Sequence, residues 1–305
     1  MAPPDQAAGA AEAEPLAVEI RHLTFTYQPE LPPIFRDVNL SVERGARVLL
    51  VGANGAGKST LLRILAGMHM VPDDAARVYG HAAFRDTLYS NQNIAFMGDA
   101  WARVVPWVAT SVPYQADIPV HQMVRTLFGD LAGTPEEMRC EAARRDRLLQ
   151  LLDIDPEWRM HNVSDGQRKR VSILLQLLRP YRVLLLDEVT THLDVISRTD
   201  FLTFLREESE QRGATILYAT HIFDGLEQWA THMVYLSRGT VVKYGRLAEF
   251  DDLQARIAAR TPAPLLRTVE TWLRQEQTDS QERQAFRRYF HDLAEAKLQP
   301  QHTSK

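Results

Sequence analysis

The sequence has a single cysteine, Cys140, in 305 residues. One cysteine excludes an intramolecular disulfide and a cysteine-ligated zinc site, and it is typical of a reducing compartment. Its neighbours Arg139, Glu141 and Arg144 are charged. We therefore interpret Cys140 as a bystander on a polar helix.

Long apolar runs and an excess of positive charge are also missing. No apolar run approaches the roughly 20 residues of a membrane-spanning helix, so no membrane span is predicted. The net charge of −4 gives no basic field, and we expect no direct nucleic-acid partner. The short cluster Arg168-Lys169-Arg170 would spread around a helix, which favours a solvated face over a nucleic-acid patch.

The first residues lack arginine and an apolar segment, and they are rich in alanine and proline. This composition argues against a signal or transit peptide. We expect a disordered N-terminal tail over 1–16.

What is present is a glycine-rich segment, Gly52-Ala53-Asn54-Gly55-Ala56-Gly57-Lys58-Ser59-Thr60, which fits the phosphate-loop pattern G-x-x-x-x-G-K-[ST]. An apolar run at 47–51 predicts a strand before it, and 61–66 has helical spacing. An ordinary glycine turn is the alternative, but a chance match to the whole pattern in this context is rare.

In this context the glycines allow backbone N–H groups to face phosphates, and the helix N-terminus adds partial positive charge. Lys58 is predicted to reach the β- and γ-phosphates, and the Ser59 hydroxyl to hold Mg²⁺. The predicted nucleotide-binding residues of this loop are Gly52, Asn54, Gly55, Gly57, Lys58, Ser59 and Thr60.

A second motif is the apolar run Val183-Leu184-Leu185-Leu186, which predicts a buried parallel strand. It ends in Asp187-Glu188. In a phosphate-loop site Asp187 would hold Mg²⁺ through water, and Glu188 would polarise the attacking water as general base. Two carboxylates at a strand end could also be structural caps; their place after a phosphate loop favours catalysis.

The order of predicted elements indicates an α/β protein. Alternating strands over 18–27 and 38–42 come first and predict an antiparallel β subdomain. A strand is also predicted over 78–84. From residue 101 onward the pattern is mostly helical until the apolar run at 183–186, so we predict a helical insertion at about 100–180.

With five further features, the chain resembles ABC-type ATPase domains of the phosphate-loop NTPase fold over about 18–250. These features are Tyr27, Val163-Ser164-Asp165-Gly166-Gln167, Thr191-His192-Leu193-Asp194, Thr220-His221 and the helical insertion. The resemblance implies that Tyr27 stacks on adenine and that His221 contacts the γ-phosphate of ATP. Taken singly, Tyr27 is also compatible with a core or edge aromatic and His221 with a core histidine. The resemblance places Asp194 in the family's D-loop and implies that it is a nucleotide-binding residue.

The resemblance also implies a composite site. Ser164 and the Gly166 N–H open a helix and form an anion site; with Gln167 they belong to the family's signature sequence. In the family this site binds ATP held by another protomer, which implies a homodimer with an isologous interface or a partner with a second domain.

Two residues depart from the family pattern. Asp165 stands where glycine is usual, and its carboxylate is expected to repel a γ-phosphate unless the side chain points away along the helix. Asp99, 41 positions after Lys58, stands where glutamine is usual. Asp99 would keep an oxygen ligand for Mg²⁺ but lose the amide donors, which predicts weaker coupling to a membrane partner and slower hydrolysis.

Segments 158–171, 183–190 and 218–226 narrow the resemblance to a soluble eukaryotic subgroup of ABC ATPases. That subgroup includes plant family I members and a fungal factor associated with the carbon-catabolite-repressor–Not deadenylase and transcription complex. Segment 265–273 supports it more weakly, and its apolar helix face could pack on the core or bind a partner.

The resemblance implies an ATP-hydrolysing switch on a gene-expression complex, located in the cytoplasm, the nucleus or both. The alternatives are the ATPase subunit of a membrane transporter and an ATP-binding scaffold with little hydrolysis. The expected domains are an ATPase domain over 17–250 and a helical C-terminal extension over 251–305.

Overall fold

A computed structural model describes residues 16–98, 117–128 and 135–278. The strands are β1 (Val18–Phe25), β2 (Phe35–Val42), β3 (Arg47–Gly52), β4 (Ala76–Val78), β5 (His81–Ala82), β6 (Ile94–Met97), β7 (Val183–Asp187), β8 (Thr215–Ala219), β9 (His232–Ser237) and β10 (Thr240–Arg246). The helices are α1 (Lys58–Leu65), α2 (Thr87–Asn93), α3 (Val120–Phe128), α4 (Pro135–Leu151), α5 (Asp165–Leu177), α6 (Val195–Arg212), α7 (Leu226–Trp229), α8 (Asp251–Ala258) and α9 (264–278).

Within the described residues the larger sheet has six strands, in the order β10-β9-β3-β8-β7-β6. All neighbours are parallel except the β9–β10 pair. Every residue of β7 and β8 is buried, as the apolar pattern predicts for central strands. Because Ala219 at the end of β8 pairs with both Leu50 and Asp187, the carboxyl ends of β3, β7 and β8 meet at one edge.

The smaller sheet is antiparallel, in the order β2-β1-β4-β5. Together the two sheets confirm the predicted α/β fold with an antiparallel subdomain. The prediction of one strand over 78–84 is wrong: the chain makes a short β4–β5 hairpin there. Its turn residues Tyr79 and Gly80 both have positive φ, at 51° and 82°, as hairpin turns of the primed type require.

In the described residues the helical part comprises α3, α4 and α5, and a buried ion pair connects it to the core. The Arg144 guanidinium donates to both carboxylate oxygens of Glu208 in α6, at 2.6 and 2.8 Å, and to the Leu177 carbonyl at 2.7 Å. Both charged side chains are less than 10% exposed. The helix that begins at the signature sequence is therefore fixed to α6 near its other end.

The apolar face of helix α9 packs on the core. From the sequence, this face is expected either to pack on the core or to bind a partner. Leu265, Val269 and Trp272 are buried in the larger core cluster. The Trp272 indole N–H donates to Asp252, and the Tyr235 hydroxyl donates to Glu276. In the described part of the chain, no helix is both long and apolar enough to cross a membrane.

Candidate active site

The phosphate loop joins β3 to α1 at the edge where the parallel strands end. Gly57 precedes α1 with φ 106°, and no side chain of the described residues caps the helix there. A Cβ at Gly57 would lie 2.6 Å from the Phe35 ring, and one at Gly52 would lie 2.2 Å from the Leu236 carbonyl oxygen. Glycine is therefore required at both positions, and the start of α1 is left to bind an anion through its N–H groups.

Lys58, the first residue of α1, lies over this loop. Its ammonium donates to the carbonyl oxygens of Gly52 at 2.8 Å and Ala53 at 3.1 Å. Burial lowers the pKa of Lys58, against the opposing attraction of Glu188 and Asp187. The structure thus places the Lys58 cation beside the backbone that the motif predicts to surround phosphates.

Two predicted magnesium ligands lie in direct contact. The Ser59 hydroxyl donates to Asp187 Oδ1 at 3.0 Å, although the residues are 128 positions apart. Asp187 is only 7% exposed. A hydroxyl and a carboxylate are hard oxygen donors, so the pair fits Mg²⁺. The third predicted ligand, Asp99, lies outside the described residues.

The two predicted catalytic side chains also meet. Nδ1 of His221 lies 2.9 Å from Oε2 of Glu188. The Glu188 backbone has φ 54°, a strained conformation for a residue with a Cβ, and its N–H donates to the Ala219 carbonyl. The His221 side chain is 71% exposed, so it is not a core histidine.

Tyr27 lies just beyond β1, beside the phosphate-loop helix. Its hydroxyl is 3.0 Å from Thr60 Oγ1, and its ring contacts Phe25 and His69 at nearly perpendicular angles. At 45% exposure Tyr27 is not a core aromatic. Sequence reasoning missed the supporting rings Phe25 and His69, for which the sequence carries no motif.

The signature residues form a closed local arrangement at the start of α5. Ser164 Oγ accepts from the Gln167 backbone N–H, and the Gln167 side-chain oxygen accepts from the Ser164 N–H. This is a capping box, which satisfies two donors of the first turn. Among the described residues, a Cβ built at Gly166 meets no atom within 4 Å outside its own helix turn, so the space beside Gly166 is open.

Asp165 points along its own helix. Its carboxylate accepts from the Arg168 guanidinium at 2.7 Å, and its side chain is 99% exposed. The Asp165 side chain therefore points away along the helix, which is the arrangement in which its carboxylate is not expected to repel a γ-phosphate.

Asp194 caps α6 in the same local manner. It accepts from the backbone N–H and the hydroxyl of Ser197, at 2.8 and 2.9 Å, and these bonds lower its pKa. The next two residues, Val195 and Ile196, are 82% and 75% exposed. Asp194 thus starts a helix whose first turn presents apolar side chains to solvent.

A glycine loop with an inward lysine, beside a serine–aspartate pair and a glutamate–histidine pair, is the arrangement of a phosphate-loop ATPase. The profile described as "ABC transporter" matches residues 35–191. The chain belongs to the ABC transporter family, and it is an ATP hydrolase of the ABC type. Proteins of this family bind ATP, generally with Mg²⁺.

Similar proteins include ABC transporter I family member 20 of Arabidopsis thaliana, 44% identical over 89% of this chain and 80% of that protein. CCR4-associated factor 16 of Saccharomyces cerevisiae is 37% identical over 78% of this chain and 82% of that protein. These matches agree with the subgroup that the sequence resembles.

Solved structures of the same fold include an ATP-binding subunit of an ABC transporter, with TM-score 0.66 and 23% identity over 84% of this chain and 99% of that one. A dimeric ATP-binding cassette in a post-hydrolysis state with ADP and phosphate has TM-score 0.60 and 21% identity, over 76% of this chain and all of that one. ABC domains form ATP-dependent dimers.

Proposed function

We propose that this chain hydrolyses MgATP at a site completed by a second copy, and that the cycle acts as a switch on a gene-expression complex. The observation that carries hydrolysis is the 2.9 Å contact between Glu188 and His221 beside the phosphate loop. In this proposal Glu188 is the general base and His221 is its orienting partner.

In this proposal the phosphates of ATP are bound by Lys58 and by the backbone N–H groups at the start of α1. The Tyr27 ring stacks on adenine. Ser59 and Asp187 hold Mg²⁺, which when bound neutralises charge on the phosphate oxygens.

Glu188 then accepts a proton from the attacking water. His221, in contact with the same carboxylate, fixes its orientation and faces the γ-phosphate. The backbone conformation of Glu188 supports this role, because strained residues cluster where a side chain must be aimed.

The second copy would contribute the start of α5. Its Ser164 hydroxyl, the N–H of Gly166 and Gln167 form the anion site opposite the phosphate loop. Exchange of the same two surfaces gives an isologous homodimer. The exposed first turn of α6, after Asp194, is available to such an interface.

The proposed target follows from similarity to CCR4-associated factor 16, whose name connects that protein to the carbon-catabolite-repressor machinery. We infer that this chain binds the carbon-catabolite-repressor–Not complex in its ATP-closed form, in the cytoplasm, the nucleus or both.

The test is affinity capture with tagged Glu188→Gln in the presence of ATP, compared with Lys58→Ala. Glu188→Gln should hold ATP and retain a second copy and the complex, whereas Lys58→Ala should retain neither. Equal capture by both variants, with and without ATP, would contradict the switch.

A second candidate is the ATPase subunit of a membrane transporter, which the description of the matching family favours. Stable copurification of the wild-type chain with an integral membrane protein, in place of the deadenylase complex, would select this candidate.

A further inference from the structure

An arginine of α6 forms hydrogen bonds to the loop that carries His221. Nη2 of Arg198 donates to the carbonyl oxygens of Ile222 and Asp224, at 3.2 and 3.1 Å. Nη1 of the same side chain lies 3.9 Å from the Asp224 carboxylate. The Arg198 side chain is 14% exposed, whereas His221 and Asp224 are 71% and 86% exposed. A nearly buried cation therefore holds an otherwise open loop.

The position of this loop also determines where Glu188 is held. The His221 ring lies 2.9 Å from Glu188 Oε2, and the His221 backbone N–H donates to the same oxygen at 3.4 Å. Because the bonds from Arg198 begin at the next residue, a shift of the loop would move both contacts to Glu188. Hydrogen bonds that involve a charged donor are about twice as strong as neutral ones, so Arg198 is suited to this restraint.

Arg198 in turn belongs to the start of α6. Its backbone N–H donates to the Asp194 carbonyl, so it lies in the first turn of the helix. Val195 and Ile196 expose apolar surface on that turn. A second protein surface that contacts them would act directly on the element that bears Arg198.

We propose that Arg198 is a positioning residue that sets His221 and Glu188, so that displacement of the start of α6 changes the hydrolysis rate without changing ATP binding. The proposal depends on the proposed function only in taking Glu188 and His221 as the groups that act in hydrolysis. Within the described residues, Arg198 bonds to backbone carbonyls of this loop and to neither of these two side chains.

The chain offers a matched control in Arg206, two turns further along α6. Its Nη2 donates to the Gln228 carbonyl in α7 at 3.0 Å. Arg206 therefore makes the same kind of bond from the same helix, but to a segment beyond the His221 loop. We would compare Arg198→Met, Arg198→Lys and Arg206→Met with wild type.

The first measurement is hydrogen exchange of the peptide spanning 220–225 in the nucleotide-free protein. The second is kcat and KM for MgATP hydrolysis. Arg198→Met should accelerate exchange in this loop and lower kcat by about 10- to 100-fold with KM within about twofold, as expected for a misplaced catalytic group. Arg198→Lys keeps the positive charge but lacks the two-pronged guanidinium. Its exchange rate and kcat should therefore lie between those of Arg198→Met and wild type. Arg206→Met should change neither.

Accelerated exchange with unchanged kcat in Arg198→Met would overturn the proposal, as would equal loss of kcat in Arg198→Met and Arg206→Met. If Arg198→Met does not fold, Arg198→Lys carries the test: unchanged exchange and kcat there would also overturn it. Failure of the proposed function is separate, because it would appear as unimpaired hydrolysis by Glu188→Gln.

Discussion

The magnesium and catalytic side chains of the candidate active site contact residues far away in sequence, whereas Ser164 and Gln167 at the start of the signature helix contact each other. Ser59 bonds to Asp187 across 128 positions, and Glu188 meets His221 across 33. On α5, by contrast, Ser164 and Gln167 are three residues apart. The Ser59–Asp187 and Glu188–His221 pairs exist only in the assembled sheet, whereas the capping box is formed by a few consecutive residues.

Substitutions in these two parts of the site should therefore have different effects. Changes in the phosphate-binding half should alter ATP binding or hydrolysis through residues of the same copy. Changes at the start of α5 should alter local helix stability and contact with a second copy. The buried Arg144–Glu208 pair joins the two halves, so its loss should affect the whole fold.

The largest expected effect is on chemistry. Glu188→Gln removes the general base and should slow phosphate release by roughly 10²- to 10⁴-fold while ATP binding is retained. Single-turnover phosphate release measures this. Glu227→Gln, the same substitution on nearby α7, should leave the rate unchanged. Equal rates for Glu188→Gln and wild type would remove Glu188 from the mechanism.

The next effect is on stability. Arg144→Met leaves the buried Glu208 carboxylate with the longer 3.6 Å contact to Arg212 in place of a two-bond partner, and should lower the free energy of unfolding by about 3 kcal/mol. Arg145→Met, which breaks an exposed contact with Asp146, should cost less than about 1 kcal/mol. Urea unfolding compares them, and the joint change Arg144→Met with Glu208→Leu should recover part of the loss. Equal costs at the two arginines would show that the link between the halves is weak.

Lys58→Ala should weaken ATP binding by about 10- to 150-fold, since it removes one charged hydrogen-bond donor to phosphate. Titration with a fluorescent ATP analogue measures the dissociation constant. Lys243→Ala on β10, where the ammonium lies over the Trp272 ring, serves as control and should not change it. Unaltered affinity in Lys58→Ala would mean that the ammonium stays with the loop carbonyls in the complex.

Ser164→Ala should cost about 1 kcal/mol of stability through loss of the helix cap and should also weaken ATP-dependent dimerisation. Ser164→Asn keeps a capping acceptor but lacks the hydroxyl. It should restore stability without restoring the dimer, as followed by unfolding and by light scattering with ATP. Recovery of both would indicate that Ser164 acts only as a cap.

The smallest effect is expected at Asp165. Because its carboxylate already bonds to Arg168, Asp165→Asn should change the dimerisation constant by no more than about twofold. Sedimentation of the ATP-bound Glu188→Gln background, with and without the added substitution, provides the comparison. Tightening of tenfold or more would place the carboxylate against the phosphate of the other copy.

Where sequence and structure agree, the signal is local. The phosphate loop is predicted by its own glycines and Lys58, and β7 by its continuous apolar run. The capping box at Ser164 and Gln167 has the spacing that the motif requires. The β4–β5 hairpin was not predicted, because its turn needs a positive φ at Tyr79 and tyrosine is not a residue type that indicates positive φ.

The sequence by itself thus determined the phosphate loop, the acidic end of β7 and the start of α5, since each depends on neighbours within a few positions. Only the tertiary structure decided that Glu188 meets His221, that Asp165 turns to Arg168, that α9 packs on the core and that Arg198 reaches the loop behind His221. The physical reason is that these contacts depend on strand order and helix packing. Strand order and helix packing are set by burial of the whole core, and no single segment of the sequence contains the information that determines them.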